Sequence, residues 1–293
     1  MQNPPASAEK FWLARLVNDA SLEVTVRDKD AARILRDRLP AGARVHVTYL
    51  SNASYADTIA QSKALAVAGF DPIPHLAARS LRSEAELSDY LARLAGEAGA
   101  TRVLLVAGDL ETPLGPFAGS IDVLKTGRFE RNGISGIGFA AHPEGHPVVA
   151  DAVMAQALAD KVAYATQHGL EAEIVTQFCF EAAPIVTCLR SLQAGGIDAP
   201  VRIGAAAPAE ALRMMKVALR CGIGPSLRAL ERHGARLGGV MGTAGPEGLV
   251  EELARALAVE DFGAVVGMHF FVFGGVERST DWLVNWRGAL KGI

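Results

Sequence analysis

Arg102-Val103-Leu104-Leu105-Val106-Ala107-Gly108-Asp109 is the stretch from which the fold can be read. Its apolar residues follow one another without the polar alternation of a strand that has one wet face. A strand covered on both faces reads this way, which is the mark of a parallel sheet packed between helices. Gly108 then breaks the run, and Asp109 puts a carboxylate just past the strand's C-terminal end. Working outward, similar short runs occur at Leu22–Val26, Arg44–Leu50, Asp71–Ala77, Ile134–Ala140, Glu173–Phe180, Val201–Ala205 and Gly267–Phe273, which with 102–106 makes eight. Helical patterns lie between them at Asp57–Val67, Val149–Thr166 and Ala209–Arg220. Ser83-Glu84-Ala85-Glu86 has the form of a capped helix start with acids in its first turn.

Strand–helix alternation repeated eight times predicts an α/β protein, a (β/α)8 TIM barrel. The 293 residues exceed the usual ~150 per domain, but barrels of ~250 residues fold as one unit, so one domain over 1–293 is expected. Extra helices are expected between strands 7 and 8, with a glycine-rich break at 238–248. A doubly wound open sheet is the runner-up. No GxGxxG follows the first strand, and the glycines of Gly133–Gly138 enter a strand instead of leaving one.

Composition narrows the function. Half the residues are hydrophobic, and the net charge of −3 with scattered Lys and Arg argues against a nucleic-acid partner or a polybasic membrane patch. No apolar run reaches the ~20 residues of a membrane span. Cys179, Cys188 and Cys221 form no CxxC pair and are too few for a disulfide framework, and the N-terminus lacks a secretory pattern, so a cytoplasmic location is expected.

Active sites of this barrel type form at the C-terminal strand ends. Those ends carry Glu23, Thr48-Tyr49, Pro74-His75, Gly108-Asp109, His142-Pro143-Glu144-Gly145-His146-Pro147 and Thr176-Gln177. Singly each has a plain structural role: Asp109 as a helix cap, His75 as a bonded core histidine, Gln177 as a buried amide. Six polar strand ends together point to a site. His142 and His146 flank Glu144, but a metal-binding HExxH needs a helix, which Pro143 and Gly145 oppose, so no metal is expected. No GxxxxGK[ST] phosphate loop is present.

Taken in order, these segments resemble the catalytic domain of bacterial methylenetetrahydrofolate reductases over nearly the whole chain. The matching pieces are Ser21-Leu22-Glu23-Val24, Val47-Thr48-Tyr49, Pro74-His75-Leu76, Gly108-Asp109, Ala140-Ala141-His142-Pro143-Glu144-Gly145-His146-Pro147, and Thr176-Gln177-Phe178 with Phe180. The resemblance implies FAD as cofactor, with Thr48, His75, Gly108, Asp109, Ser120, Ala141, His142, His146 and Lys161 around it. It implies Glu23 as the general acid that opens a bridged folate, and Asp109 and Gln177 as its pterin anchors. The implied activity interconverts 5,10-methylenetetrahydrofolate and 5-methyltetrahydrofolate. The implied partners are tetrahydrofolate derivatives and NAD(P)H or another electron carrier, with a homo-oligomer left open.

The chain departs from the family pattern at several places. Ala107 stands where the family has Arg, removing a bidentate phosphate donor. His142 replaces a tyrosine, Asp160 replaces a basic residue, and Ala218 falls near the phenylalanine that stacks on nicotinamide and pterin. Gly274-Gly275 replaces Asn-Arg after strand 8, with Arg278 nearby. Loss of a stacking ring weakens nicotinamide more than folate, which keeps two polar anchors, so the oxidative direction is favoured. A flavin-free methyltransferase on a folate-binding barrel is the alternative reading, and a binding barrel without turnover a third.

Overall fold

The computed structural model describes residues 6–221 and 243–291. All eight expected strands form: β1 (Ser21–Thr25), β2 (Arg44–Thr48), β3 (Asp71–Ala77), β4 (Arg102–Val106), β5 (Gly136–Ala141), β6 (Glu171–Thr176), β7 (Val201–Ala206) and β8 (Val265–Phe271). They close in the order β1-β8-β7-β6-β5-β4-β3-β2 with helices between them, a (β/α)8 barrel. Four strands end earlier than their sequences suggest, β1 at Thr25, β2 at Thr48, β6 at Thr176 and β8 at Phe271. After β6 and β8 the following phenylalanines pack against one another beyond the sheet. No helix among the described residues is long and apolar enough to cross a membrane.

The chain divides into two compact units, one of residues 22–140 with 155–174, the other of 1–21, 141–154 and 175–293. In the first, one ion pair fixes which side chains face inward. Arg44 Nη1 on β2 lies 2.6 Å from Glu173 Oε2 on β6. Three strands separate β2 from β6 in the sheet, so the pair can meet only through the barrel interior. Side chains alternate along a strand, so His46 and Thr48 face inward with Arg44. Register partners share a face, which carries Glu23, Ile73, His75, Leu104 and Gly138 to the same side. The opposite parity holds Val45, Val47, Leu76, Val103, Leu105 and Phe139, all fully covered. Burying such a side chain contributes about 1.5–3 kcal/mol. Helices Tyr55–Val67 and Glu84–Ala98 flank β3 in sequence, and both starts are capped, the second as expected: Ser54 accepts from the Asp57 amide and Ser83 from that of Glu86.

In the second unit β7 and β8 pair in parallel, with an irregularity between Val265 and Gly267 that lets β8 start two residues before its expected glycine. Phe270 is buried edge-on against Trp282 of the helix Val276–Leu290, at 5.0 Å. That puts Phe270 in the helix layer and its neighbours His269 and Phe271 on the inward face. The long connection before β8 carries helices Ala211–Arg220 and Glu247–Val259 and a short antiparallel ribbon, Ala209–Glu210 with Thr243–Ala244. Residues 238–242 of the expected glycine-rich break at 238–248 lie outside the described residues.

Candidate active site

In the first unit, Glu23, His46 and His75 share the inward face. Glu23 and His46 are register partners, and the rings of His46 and His75 meet edge-on at 5.6 Å. Glu23 is 7% exposed, His46 1% and His75 8%. Glu23 stands two residues before the end of β1, so it lies one layer below the strand terminus. Thr25 and Thr48 form the layer above it. The Thr48 hydroxyl is buried and makes no hydrogen bond among the described residues. A buried hydroxyl left so costs about 1–3 kcal/mol, which a polar ligand would offset.

The loop after β4 presents Asp109 exposed to solvent. Its start is tight: Gly108 has φ +92°, and a Cβ there would lie 3.1 Å from that of Ala77. Arg79 braces the loop from below. Its Nε donates to the Ala118 carbonyl at 2.7 Å and its Nη1 to that of Leu110 at 3.1 Å, while its amide donates to Ala107. Tyr55 and Tyr90 donate their hydroxyls to the carbonyls of Ala77 and His75, fixing the end of β3. Burial pushes both phenols well above their ordinary pKa, so they remain donors at any ordinary pH. Ser120 is the first residue of a short helix and half-buried, with Asp122 closing the turn through the Ala118 and Gly119 amides.

Lys161 lies apart from these groups. It is 9% exposed and its Nζ sits 5.4 Å from the ring centroid of Phe139, an outward-facing residue of β5. The ammonium is therefore held in the helix layer behind β5, where burial pushes its pKa down to about 8. To touch a ligand on the inward face, the side chain would have to leave Phe139.

In the second unit, Ala141 is buried at the end of β5 and His142 through His146 follow as a turn, not a helix. Gly145 closes it by donating its amide to the His142 carbonyl at 3.0 Å. A Cβ on Gly145 would lie 2.8 Å from Asp151 Oδ1, and its φ is +81°, so this turn requires glycine. The two imidazoles meet edge-on at 5.4 Å. His146 Nδ1 accepts from the Val148 amide at 3.3 Å, which leaves Nε2 as the protonated nitrogen of the neutral ring. Among the described residues no three His, Cys, Asp or Glu side chains converge as a metal site.

Gln177 follows β6, its amide donating to the Ala141 carbonyl at 2.8 Å. Its side-chain Oε1 accepts from the Phe178 amide at 3.1 Å, so the amino end is the group it presents outward. Cys179 is buried beside Glu144, and burial followed by that carboxylate pushes its thiol far up, so it is no nucleophile. Ser21 and His269 meet at 2.9 Å between Oγ and Nδ1.

Sequence reading missed His46, Arg79 and His269. His46 and His269 sit inside strands, below the polar ends that attract notice, and Arg79 acts through backbone carbonyls that no motif records. Ala218, expected near a ligand-stacking position, is fully buried against Phe178 and Met214.

A closed barrel of eight parallel strands with helices between them is a TIM barrel, a fold whose ligand sites form at the C-terminal strand ends. No protein-family model matches the sequence. Among solved structures the chain is similar to an uncharacterized protein from Clostridium thermocellum that binds two copies of 5-methyl-5,6,7,8-tetrahydrofolic acid. The identity is 13%, the TM-score 0.62, and the match covers 93% of this chain and 95% of that one. Dihydropteroate synthase from Thermus thermophilus matches at 16% identity and a TM-score of 0.47, over 92% of each chain. At 13% identity the likeness to the Clostridium thermocellum protein shows the shared fold.

Proposed function

We propose that this chain is a folate enzyme, binding a reduced folate over the strand ends and interconverting its methylene and methyl forms with a flavin. The observation that carries the reading is the inward face of β1–β3. It ends in a buried Thr48 hydroxyl with no partner among the described residues, one layer above the register pair Glu23 and His46. The methyltetrahydrofolate bound by the Clostridium thermocellum protein supports a folate here.

The chain's own groups divide the work as follows. Asp109, exposed on a braced loop, is an acceptor for the amino-pyrimidine edge of a pterin. Gln177 offers an N–H donor whose direction is set by the Phe178 amide. Glu23 holds the proton that opens the bridged one-carbon unit, and its near-complete burial keeps water from competing for that proton. A bound flavin would supply the hydride chemistry. In the first unit, Thr48 and His75 are suitable donors and acceptors for its ring, with Gly108 and Ser120 nearby in sequence to the same strand ends.

A second reading, methyl transfer from folate without flavin, is favoured by one observation. The groups expected at a flavin's phosphates are thin: Ala107 offers no donor, and Lys161 stands behind β5. A single experiment separates the two. Purified protein is supplied with FAD, its absorption is followed near ~450 nm, and 5-methyltetrahydrofolate or NADH is added anaerobically. Bleaching by the folate, faster than by NADH, is the expected result. Protein that binds methyltetrahydrofolate but never a flavin supports the methyltransferase. Protein that binds neither refutes the folate assignment.

A further inference from the structure

Beyond β6 and β8 four phenylalanines form one assembly. Phe178 is 1% exposed and is its hub. The ring of Phe180 lies 5.8 Å from it, Phe271 5.3 Å and Phe273 5.0 Å, while Phe271 and Phe273 lie nearly parallel at 6.1 Å. Phe180, Phe271 and Phe273 are only partly buried. Two glycines seat the rings. A Cβ on Gly204 would lie 2.1 Å from the Thr176 carbonyl oxygen and 2.9 Å from Phe271 Cε2, and one on Gly274 2.1 Å from the Pro208 oxygen. The rings are thus clamped by backbone, and their remaining exposure is at the C-terminal ends of the strands, the face on which barrel enzymes bind substrate.

We infer that Phe180, Phe271 and Phe273 form a stacking wall for a flat, fused heteroaromatic ring, with the amino group of Gln177 donating to an acceptor on the ring's edge. The ring would be the pterin of a folate or the isoalloxazine of a flavin, so the inference rests on the proposed function and names the residues that select the ligand. Rigid rings lose little entropy on contact and prefer offset stacking against another π-face. Gln177 stands next to the hub, with its carbonyl already engaged by the Phe178 amide. Apolar side chains alone would accept any greasy ligand, whereas a wall with one directed donor selects a ring carrying a carbonyl or ring nitrogen at its rim. This wall also answers the absence of a ring at Ala218: the stacking surface comes from strand ends 6 and 8 instead of the helix Ala211–Arg220.

The test uses the full-length protein and calorimetric titration with 5-methyltetrahydrofolate and, separately, with FAD and with lumazine, a bare pteridine. Phe273→Leu and Phe180→Leu keep apolar volume and remove the π-face, so each is expected to weaken the ligand that stacks by about 2- to 12-fold. Phe273→Trp should bind at least as tightly, with its fluorescence quenched by the ring. Which titrant responds identifies pterin or flavin as the occupant. If methyltetrahydrofolate binds the wild type and both Leu variants, with unchanged melting temperatures, stay within twofold for every titrant, the wall is refuted while the folate assignment stands. If methyltetrahydrofolate fails to bind the wild type but lumazine or FAD binds and weakens in the Leu variants, the wall stands without the folate.

Discussion

Lys161→Met in the ligand-free protein tests the electrostatics of the helix layer. Burial lowers the Lys161 pKa from 10.5 to about 8. Below about pH 8 the native and unfolded chains both carry the proton, and the full cost of a desolvated ammonium is present. Between about 8 and 10.5 the unfolded chain binds a proton that the native one has shed, so stability rises with pH, and above that window the cost is gone. A shift of this size corresponds to about 3 kcal/mol at pH 7. The Phe139 ring under the ammonium returns roughly 0.5–2 kcal/mol of it. Met has similar length and no charge, so the variant should be more stable by about 1–3 kcal/mol at pH 7, with the difference shrinking below about 0.5 kcal/mol near pH 10.5. Urea unfolding of both proteins at pH 7, 9 and 10.5 measures this directly. A variant less stable at pH 7, or a gain that persists undiminished at pH 10.5, would refute the picture of a buried cation whose charge is uncompensated.

Two further perturbations follow from the site. Glu23→Gln should keep folate binding and lose about 10²–10⁴ in the rate of methylene-folate reduction, and a loss under tenfold is incompatible with an acid role. Gly204→Ala forces a methyl against the Thr176 carbonyl oxygen and Phe271, so a loss of about 1–3 kcal/mol is expected by thermal melting; an unchanged melting temperature would show that the ring is not clamped.

Sequence period made the barrel legible because buried parallel strands leave continuous apolar runs, and Asp71–Ala77 and Arg102–Val106 match their expected bounds. The misjudged ends of β6 and β8 were aromatic. Phe178, Phe180 and Phe273 have strand propensity, yet ring-on-ring packing takes them out of the sheet, a tertiary effect that no local pattern carries. The same limit hid the site's support. Thr48 and Asp109 announced themselves at strand ends, while Arg79 acts on carbonyls contributed by residues 31 and 39 positions away. Lys161 shows the converse: a helical position says nothing about whether the head group reaches past the strand or lies down on Phe139.

The ion pair across the barrel interior also bears on the order of assembly. Arg44 and Glu173 are 129 residues apart in the chain and separated by three strands in the sheet. Their contact requires β3, β4 and β5 to have curled between them, so it cannot guide early collapse. Loop closure of that length is costly before other contacts repay it. A contact made only after the rate-limiting step leaves the speed of folding unchanged and lowers the speed of opening. The pair therefore acts as a late latch on the floor of the barrel, lengthening the lifetime of the closed sheet without hastening its formation.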